Sequence, residues 1–572
     1  MPHAPPLRLA LLLLATACGG TAPLSGDGAP SARDGAPIAA DGSSPADAAL
    51  TPDAAPTGWR SALYPASWTP AFTDDAGHFL HDFSYAGYRA GEAEPGAPAD
   101  AALFDVVAAF GADPTGTVDA TTAVQAAIAA ASASATGGVV YFPAGRYRIT
   151  GRLDITTSHV VLRGAGTTVS RLHLDRVVTA ADTLLDYSAH IRFRGSLAAN
   201  LEFPLTADGA SRDTALLVAD AGELVPGDDV TVGWNISAAF IADHGMTGIW
   251  SAFNGTWQPI FWRTIVAIDR STTPHRITLD VPLRYPALVR DGASVRRLGG
   301  WLREVGLEEL GLANASDWAA AWRGRQVHLV ELVGVTDGWI RGVSSFVSPT
   351  APPSGPGSGH HLQSSGLLID HSRRVTVSNT HLAHAQHRGG GGNGYLFEMR
   401  QSGEILFRDS TAVAGRHNFI QNWGFGSTGC VWLRVESRDG ESWPSMSGFL
   451  ASTGYSEFHH SLATANLIDS SRFADGLSIV NRGTESTGAG HTGTENAFWN
   501  VDGLGRGTLR SLQFAQGYVI GAHDFSRVVT SSDTFIVGAG TAPDDWVEGT
   551  DALLPLEPAS LYEDQLRRRL GR

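Results

Sequence analysis

The chain has 572 residues, of which 43% are hydrophobic and 17% are charged. This balance is too apolar for a disordered chain and too poor in charge for a coiled coil. The formal net charge is −16, all 41 basic residues are arginine, and no basic arm or stripe is present, which argues against nucleic acid as a partner. Two cysteines, Cys18 and Cys430, exclude a disulfide framework and a cysteine-rich zinc site.

The N-terminus has the features of an export signal. Residues 9–17 form a short apolar run that follows Arg8 and ends in small residues before Cys18. The run is too short to cross a bilayer but suits the core of a secretory signal. Small residues leading into a cysteine resemble the lipobox of bacterial lipoproteins, which implies that Cys18 is lipidated and that the exported chain is anchored to a bacterial membrane. An ordinary signal peptide and a secreted chain are the alternative.

Two segments of distinct composition follow. Residues 18–57 are nearly all Ala, Gly, Pro, Ser, Thr and Asp, a composition that cannot bury a core and predicts a solvated linker. Residues 58–103 are dense in aromatic residues separated by Gly and Pro. We interpret this second segment as an extended arm that packs onto a larger body.

Residues 104–166 carry the strongest fold signal. A strand-like run at Val106–Phe110 precedes a turn, Asp119 can cap a helix with an apolar face, and short strands follow. The order FGADPTGTVDATTAVQAAI, GGVVYFPAGRYRI and VVLRGAG resembles the opening of the pectate-lyase/rhamnogalacturonase-like right-handed parallel β-helices. The resemblance implies an all-β solenoid whose first coil is capped by the helix. It implies no single chemistry, because that superfamily holds lyases, hydrolases, epimerases and phage adhesins.

Later segments continue the solenoid pattern. Strand–turn units recur after Trp301 at irregular spacing, as expected for coils that carry loops of different length. Alternating strands before that point predict a small β insertion. Ser560 and Glu563 have capping-box spacing, so we expect a terminal helix that covers the last coil. The predicted segments are a signal peptide at 1–17, a lipid-anchored linker at 18–57, the arm at 58–103, first coils at 104–212, the insertion at 213–300, the main β-helix at 301–540, and a tail with its helix at 541–572.

Histidine is concentrated in one part of the chain, because ten of the 20 lie within residues 360–491. The core of a solenoid does not need outward polar residues, so this density predicts a binding groove. Alternation along the strand that holds Glu398 and Arg400 places both side chains on one face. One coil later, Arg416 and His417 fall at a similar phase. The pattern predicts a wall that carries a carboxylate, two guanidinium groups and an imidazole.

These groups suit β-elimination on a uronic-acid polysaccharide. That reaction needs a base for the weakly acidic C5 proton and a partner that neutralises the adjacent carboxylate, for which the planar fork of arginine is well shaped. We predict His417 as the base and Tyr395 as the second choice, although alternation groups Tyr395 with Phe397 and Met399 on one face and Glu398 on the other. The predicted catalytic residues are His417, Arg416, Arg400, Glu398, Arg388 and Tyr395.

A second polar cluster, between Glu457 and Asn500, extends the predicted groove. It includes His459, Asp475 and Arg482, and tryptophans in this region could stack on sugar rings. Asparagine stacking inside the solenoid turns is the structural alternative for part of the cluster. The predicted substrate-binding residues are His384, His387, Asn393, Asn422, Trp423, His460, His491, Asn496 and Trp499.

The sequence leaves the cofactor and the reaction class open. The run from Asn393 to Arg400 resembles the Asn-Gly-x-Glu-x-x-Arg run of β-helix alginate and chondroitin lyases with different spacing, so no cofactor is certain and Ca²⁺ at Glu398 stays open. Hydrolysis by two carboxylates is the main rival. The Asn-Thr-Asp, Asp-Asp and Gly-His-Gly motifs of polygalacturonase-like β-helices are absent from the later coils, yet the carboxylates in the groove could supply the pair. A non-catalytic carbohydrate-binding surface protein is the third alternative; the sugar, the linkage and the oligomeric state are not determined.

Overall fold

The computed structural model describes residues 58–179, 181–182, 187–531 and 545–572. The predicted signal peptide, the lipidation residue Cys18 and the predicted linker lie outside the described residues. Within the described ranges the chain winds into stacked coils of parallel strands, which confirms the predicted right-handed parallel β-helix.

The first coils begin after the aromatic arm. Helix α1 packs against the first strands and buries Val124 and Ile128, as its predicted apolar face requires. The predicted strand at Val106–Phe110 is a turn instead, because the Asp105 carboxylate accepts hydrogen bonds from the Val107 and Ala108 N–H groups. The elements are β1 (Leu103–Asp105), β2 (Thr115–Asp119), α1 (Thr121–Ala133), β3 (Gly138–Phe142), β4 (Gly145–Ile149), β5 (Leu153–Ile155), β6 (Val160–Gly164), β7 (Ser170–Leu174) and β8 (Ala189–Arg194).

An antiparallel sheet of six strands interrupts the coils, as the sequence predicts. It begins at Ala198, before the predicted boundary at residue 213, because its first strand pairs with its last strand. Its own core extends to the solenoid at Phe425 and Leu462. The elements are β9 (Ala198–Pro204), β10 (Ala215–Val218), β11 (Asp229–Asn235), α2 (Ala238–Asp243), β12 (Trp257–Asp269), β13 (His275–Leu279) and β14 (Ser294–Gly299).

The main solenoid follows the insertion. Among the described residues, no helix is both long enough and apolar enough to cross a membrane. The elements are β15 (Leu302–Arg303), β16 (Gly306–Ala313), α3 (Trp318–Arg323), β17 (His328–Val333), β18 (Val335–Ser345), β19 (Ser365–Asp370), β20 (Arg373–Ala383), β21 (Tyr395–Arg400), β22 (Leu406–Arg408), β23 (Thr411–Val413), β24 (His417–Gln421), β25 (Val431–Leu433), β26 (Glu436–Arg438), β27 (Glu441–Ser442), β28 (Ser452–Thr453), β29 (Ser456–Phe458), β30 (Ala463–Thr464), β31 (Leu467–Asp469), β32 (Arg472–Phe473), β33 (Leu477–Ile479), α4 (Glu485–Gly488), β34 (Gly493–Thr494), β35 (Ala497–Asp502), β36 (Thr508–Ser511), β37 (Tyr518–His523), β38 (Arg527–Val529), β39 (Trp546–Glu548) and α5 (Leu561–Leu570).

The coils have three faces. Face A is the parallel ladder that includes β22, β25, β31 and β37, and face B is the ladder that includes β23, β26 and β32. Long strands such as β20 pair with both ladders and join the two faces. Face C is a separate ten-stranded sheet in the order β5, β8, β17, β19, β21, β24, β29, β33, β36, β38. Apolar rows fill the interior, and in one of them the Phe397 and Phe419 rings stack with centroids 4.6 Å apart.

The aromatic arm and helix α5 both pack on the outside of face A. The Tyr64 hydroxyl donates to Asp564 at 2.7 Å, and the Tyr562 hydroxyl donates to the Ala86 carbonyl at 2.8 Å. Helix α5 begins at the predicted cap, where Ser560 accepts from the Glu563 N–H. The helix lies along the side of the solenoid rather than over its last coil, because the outward side of face A is apolar and needs cover.

Replacing Trp499, which lies fully buried between face A and the arm, should destabilise the fold. Truncation of a buried tryptophan to alanine typically costs ~3–5 kcal/mol, and Trp499→Ala also leaves the Pro558 carbonyl without its donor. The control is Trp423→Ala, because Trp423 is 41% exposed and should cost under ~1 kcal/mol. Urea unfolding followed by circular dichroism measures both; equal costs for the two variants would contradict the packing described.

Candidate functional site

The register of face C brings predicted residues of successive coils into one row. Glu398 of β21 pairs with Ile420 of β24, which pairs with Glu457 of β29. In the same way Tyr395 pairs with His417. Neighbouring strands lie ~4.8 Å apart, so the backbones of Glu398 and Glu457 are separated by about two strand spacings. We call the outer surface around these residues the face C site.

The start of β21 departs from the predicted alternation. Leu396 and Phe397 both belong to the interior core, and the Tyr395 ring instead lies 5.3 Å from the His417 ring and 6.2 Å from the His459 ring. The prediction that Tyr395 shares a face with Phe397 is therefore wrong. The reason is local, because Tyr395, the first residue of β21, pairs with β24 on one side only, and pairing with β19 begins at Phe397.

Glu398 is fully buried and receives four N–H donors. Its Oε1 accepts from Arg400 at 2.6 Å and Asn422 at 2.8 Å, and its Oε2 accepts from His328 at 2.9 Å and Gln326 at 3.0 Å. Burial raises the pKa of Glu398, but Arg400 and the hydrogen bonds from His328 and Asn422 outweigh burial and lower the pKa to about 2. A cation at Glu398 would have to displace one of these donors, which leaves no free oxygen for the Ca²⁺ considered from the sequence.

The network reaches the surface through Asn422. Its Oδ1 lies 2.9 Å from His460 Nδ1, and the Trp423 ring stacks on the His460 ring at 4.1 Å. Three predicted binding residues, Asn422, Trp423 and His460, thus lie together beside Glu398. Trp423 is the exposed member of the group.

A second carboxylate, Glu457, lies between two histidines. The His417 Nδ1 is 2.7 Å from the Tyr455 carbonyl, and the His417 Nε2 is 3.6 Å from Glu457 Oε1. The His459 Nδ1 contacts the same oxygen of Glu457. One ligand atom from each of the three residues lies within 4.8 Å of the others, a spacing that could hold a metal ion.

Burial sets the charge of this trio. Burial lowers the pKa of His417 to about 4 and that of His459 to about 3, although Glu457 opposes both shifts. Burial raises the pKa of Glu457, but His417, Arg482 and His459 together outweigh it and hold that pKa well below its usual range. At neutral pH the site therefore holds a carboxylate between two neutral imidazoles.

Arg416 and Tyr395 complete the site. Arg416 is half-buried, and no carboxylate among the described residues forms an ion pair with it. Its Nη1 donates to the Gly389 carbonyl at 2.9 Å. Its guanidinium carbon lies 5.9 Å from the centre of the Tyr395 ring. In the described part of the chain the Tyr395 hydroxyl has no hydrogen-bond partner, and burial raises its pKa above the ordinary range for tyrosine. Tyr395 is therefore a protonated, unpartnered phenol.

A group of aromatic side chains borders the site. Trp322 of α3 stacks on His387 with centroids 4.4 Å apart and lies 6.2 Å from Trp443. Trp318 contacts both tryptophans, and Arg388 lies over Trp443 at 5.2 Å. These half-buried rings offer flat apolar surface of the kind that sugar rings bind.

A loop from Asn481 to Gly490 covers part of the site. The Ser486 carbonyl lies 2.8 Å from His460 Nε2, and the Ser486 hydroxyl lies 3.2 Å from His459 Nε2. The insertion holds this loop in place, because the Trp250 indole donates to the Ala489 carbonyl at 3.0 Å. The insertion thus supports the cover of the site.

The structure places five predicted binding residues away from the Glu457 trio. Asn393 holds the Gly-rich turn through Ser364 and Gly390, and the exposed His384 lies against His361 at the end of β20. The fully buried residues His491, Asn496 and Trp499 have structural neighbours. His491 packs on Phe514, Asn496 hydrogen-bonds Asn466 and Gln513 inside a turn, and Trp499 lies under the arm.

Several site residues escaped the sequence prediction. Gln326 and His328 precede Glu398 by two coils, and Trp318 and Trp322 lie in a helix outside the histidine-rich region. Glu457 and His459 were noted in the second cluster but not assigned a role. The role of Glu457 could have been inferred from the strand register, because Glu457 occupies the same outward position as Glu398 two strands earlier.

A separate carboxyl group lies on the other side of Tyr455. Asp475 lines a cavity of about 320 Å³ together with Asp439, Glu441 and Tyr455. The Asp475 Oδ2 accepts from Ser437, Asn418 and the Gly440 N–H at 2.8–2.9 Å. Burial nevertheless raises the pKa of Asp475 to about 6.

Comparison with known proteins agrees with this fold. A family model described as rhamnogalacturonase A/epimerase, pectate lyase-like, matches residues 104–195, which confirms the resemblance inferred for the opening of the solenoid. No curated protein sequence matches the chain. The opening of the solenoid is therefore similar to the pectate-lyase-like family.

Similar solved structures include two phage tailspikes and a hydrolase. The tailspike of Pseudomonas phage phi297 is 12% identical over 79% of this chain and 83% of its own, with a TM-score of 0.39. An exopolygalacturonase from Thermotoga maritima is 9% identical over 80% and 82%, with a TM-score of 0.34. The tailspike of Acinetobacter baumannii bacteriophage AP22, in complex with capsular saccharide, is 9% identical over 87% and 81%, with a TM-score of 0.28. Likenesses this distant concern the fold and not the chemistry.

The buried charge of Glu398 should make stability depend on pH. Because folding lowers its pKa from 4.5 to about 2, Glu398 contributes ~3 kcal/mol above pH 4.5, which is lost as the pH falls towards 2. We expect the free energy of unfolding of the wild type to fall more steeply over this range than that of Glu398→Gln. Urea unfolding at pH 5, 4 and 3 measures the difference; parallel curves would contradict a stabilised carboxylate.

Proposed function

We propose that the protein cleaves a uronic-acid polysaccharide by β-elimination at the face C site. The observation that carries the proposal is the unpaired guanidinium of Arg416 beside the unpartnered phenol of Tyr395 and the neutral His417. An arginine without an acidic partner is suited to bind a substrate carboxylate in two hydrogen bonds. The chemistry of a uronate uses each of the three groups.

The proposed reaction assigns one role to each group. Arg416 binds the uronate carboxylate and stabilises the charge that develops on it when the C5–H bond breaks. The cluster of His417, Glu457 and His459 supplies the base that takes the C5 proton. Tyr395, which holds its proton, gives that proton to the departing oxygen as the C4–O bond breaks and the C4–C5 double bond forms. The aromatic group at Trp322 and Trp443 binds neighbouring sugar rings.

The distances favour a single sugar bridging these groups. The Tyr395 ring lies 5.3 Å from the His417 ring and 5.9 Å from the Arg416 guanidinium carbon. Glu398 and Arg400 contribute differently, because their ion pair is satisfied by protein groups. We assign these two residues to positioning Asn422 and His460 and not to the proton transfer.

The first test incubates the full chain with pectin, alginate, glycosaminoglycans and neutral glycans. Ultraviolet absorbance detects an unsaturated uronate, and a parallel assay detects new reducing ends. We expect both signals to rise together on a uronate polymer, because β-elimination forms a double bond at each cleavage. Reducing ends without absorbance would contradict the lyase proposal.

The roles predict distinct kinetic effects. Tyr395→Phe keeps the ring packing but removes the proton donor, so kcat should fall by about 100-fold or more with little change in KM. Arg416→Ala should raise KM and lower kcat, because it removes a contact to the carboxylate that strengthens in the transition state. His381→Ala, an exposed histidine on another face, is the matched control. A fully active Tyr395→Phe variant would contradict the assignment.

A glycoside hydrolase is the second candidate, and Asp475 is the observation that favours it. A general acid must hold its proton near neutral pH, and Asp475 has a pKa of about 6 in a cavity that also contains Glu441. In that case Asp475 protonates the leaving oxygen and an exposed carboxylate activates water. This candidate places the chemistry beside Tyr455 and leaves Tyr395 without a role.

Asp475→Asn separates the two candidates. If the protein is a lyase at the face C site, the variant should retain most of its activity, because in the described part of the chain Asp475 hydrogen-bonds to Ser437, Asn418 and Gly440 and not to Tyr395 or Arg416. If it is a hydrolase, reducing-end formation should fall by about 100-fold or more, since the general acid is lost. Both variants, Asp475→Asn and Tyr395→Phe, are compared on the same polymer.

A further inference from the structure

We propose that His417, Glu457 and His459 bind a divalent first-row transition metal ion. The trio is a two-histidine, one-carboxylate set on face C, with one ligand atom from each residue within 4.8 Å of the others. The inference deepens the proposed function, because a bound ion at this position would serve the same site. Its role in cleavage rests on that function, whereas binding of the ion does not.

The hydrogen-bond pattern directs His417 Nε2 at Glu457. A carbonyl oxygen only accepts, so the contact of 2.7 Å from His417 Nδ1 to the Tyr455 carbonyl requires the hydrogen on Nδ1. The other ring nitrogen, Nε2, faces Glu457 Oε1 at 3.6 Å. This separation is too long for a hydrogen bond, and it suits two ligand atoms that each lie about 2.1 Å from one ion.

The surrounding groups orient the ligands as metal sites require. A histidine ligand usually donates its second ring N–H to a carbonyl or carboxylate, as His417 does to Tyr455. His459 approaches the Glu457 oxygen through Nδ1, and its Nε2 is held by the Ser486 hydroxyl at 3.2 Å. The Arg482 guanidinium, whose charge acts on Glu457, donates its hydrogen bonds to the His459 carbonyl and to Glu485. Groups outside the trio thus hold both of its histidines in place, Tyr455 holding His417 and Ser486 holding His459.

The ligand set selects the class of ion. Two imidazoles and one carboxylate suit Zn²⁺, Fe²⁺, Co²⁺ or Mn²⁺, whereas Ca²⁺ prefers six or more oxygen ligands. All three side chains are at least nine-tenths buried, and the Tyr395 ring lies beside both histidines. A water molecule on such an ion becomes a base near neutral pH, which could take the C5 proton in place of the imidazole itself.

The test titrates the purified, chelator-treated full chain with Co²⁺. We expect one Co²⁺ per chain, visible ligand-field absorption, displacement by Zn²⁺ and no displacement by excess Ca²⁺. Glu457→Gln and His459→Ala should weaken binding by at least tenfold, and His381→Ala should bind as the wild type does. Circular dichroism shows that each variant is folded, and Glu457→Gln preserves the side-chain shape.

Two results would overturn the inference. One is the absence of stoichiometric binding by the folded wild type, and the other is unchanged binding by both ligand variants. The experiments distinguish failure of the metal-site proposal from failure of the proposed function. Co²⁺ binding without cleavage of any polymer would retain the metal site and remove the lyase, whereas cleavage by metal-free protein would retain the lyase and remove the role of the ion.

Discussion

The residue-by-residue register of parallel strands on face C is the constraint on which the candidate site depends. Because β21, β24 and β29 stack in register, outward positions of different coils form one continuous row, and Glu398 and Glu457 fall on it although 58 residues separate them in sequence. A slip of one residue would turn these carboxylates into the apolar interior. The stacked rings of Phe397 and Phe419 in the core hold the register, so the geometry of the site depends on the packing of the interior.

The charged groups of the site are buried to different extents and differ in how many partner groups compensate their charge. Glu398 accepts from four N–H donors, whereas Glu457 lies 3.6 Å from His417 Nε2 and Arg416 has no acidic partner in the described ranges. Burial of a charge is costly without a partner, so incomplete groups mark where something else binds. The loop at Ser486, which the insertion supports through Trp250, covers the His459 side of the site.

The sequence predicts those features that depend on neighbouring residues. The capping helix, the interrupted solenoid, the shared face of Glu398 and Arg400, and the cap at Ser560 all follow from local patterns. The rest depends on which coil stacks on which. Gln326 and His328 reach Glu398 from a distant coil, and Trp499 serves face A because the arm docks there. The orientation of Tyr395 could not be predicted, since regular alternation in β21 begins only at Phe397, where pairing with β19 begins.

The most direct test of the account is a crystal structure of the Tyr395→Phe variant with an acidic oligosaccharide, either an oligogalacturonate or an oligomannuronate. The account predicts a sugar carboxylate on Arg416, with C5 directed at the trio of His417, Glu457 and His459. It also predicts a neighbouring ring on Trp322 or Trp443. An oligosaccharide bound instead in the Asp475 cavity, or on another face of the solenoid, would contradict the account.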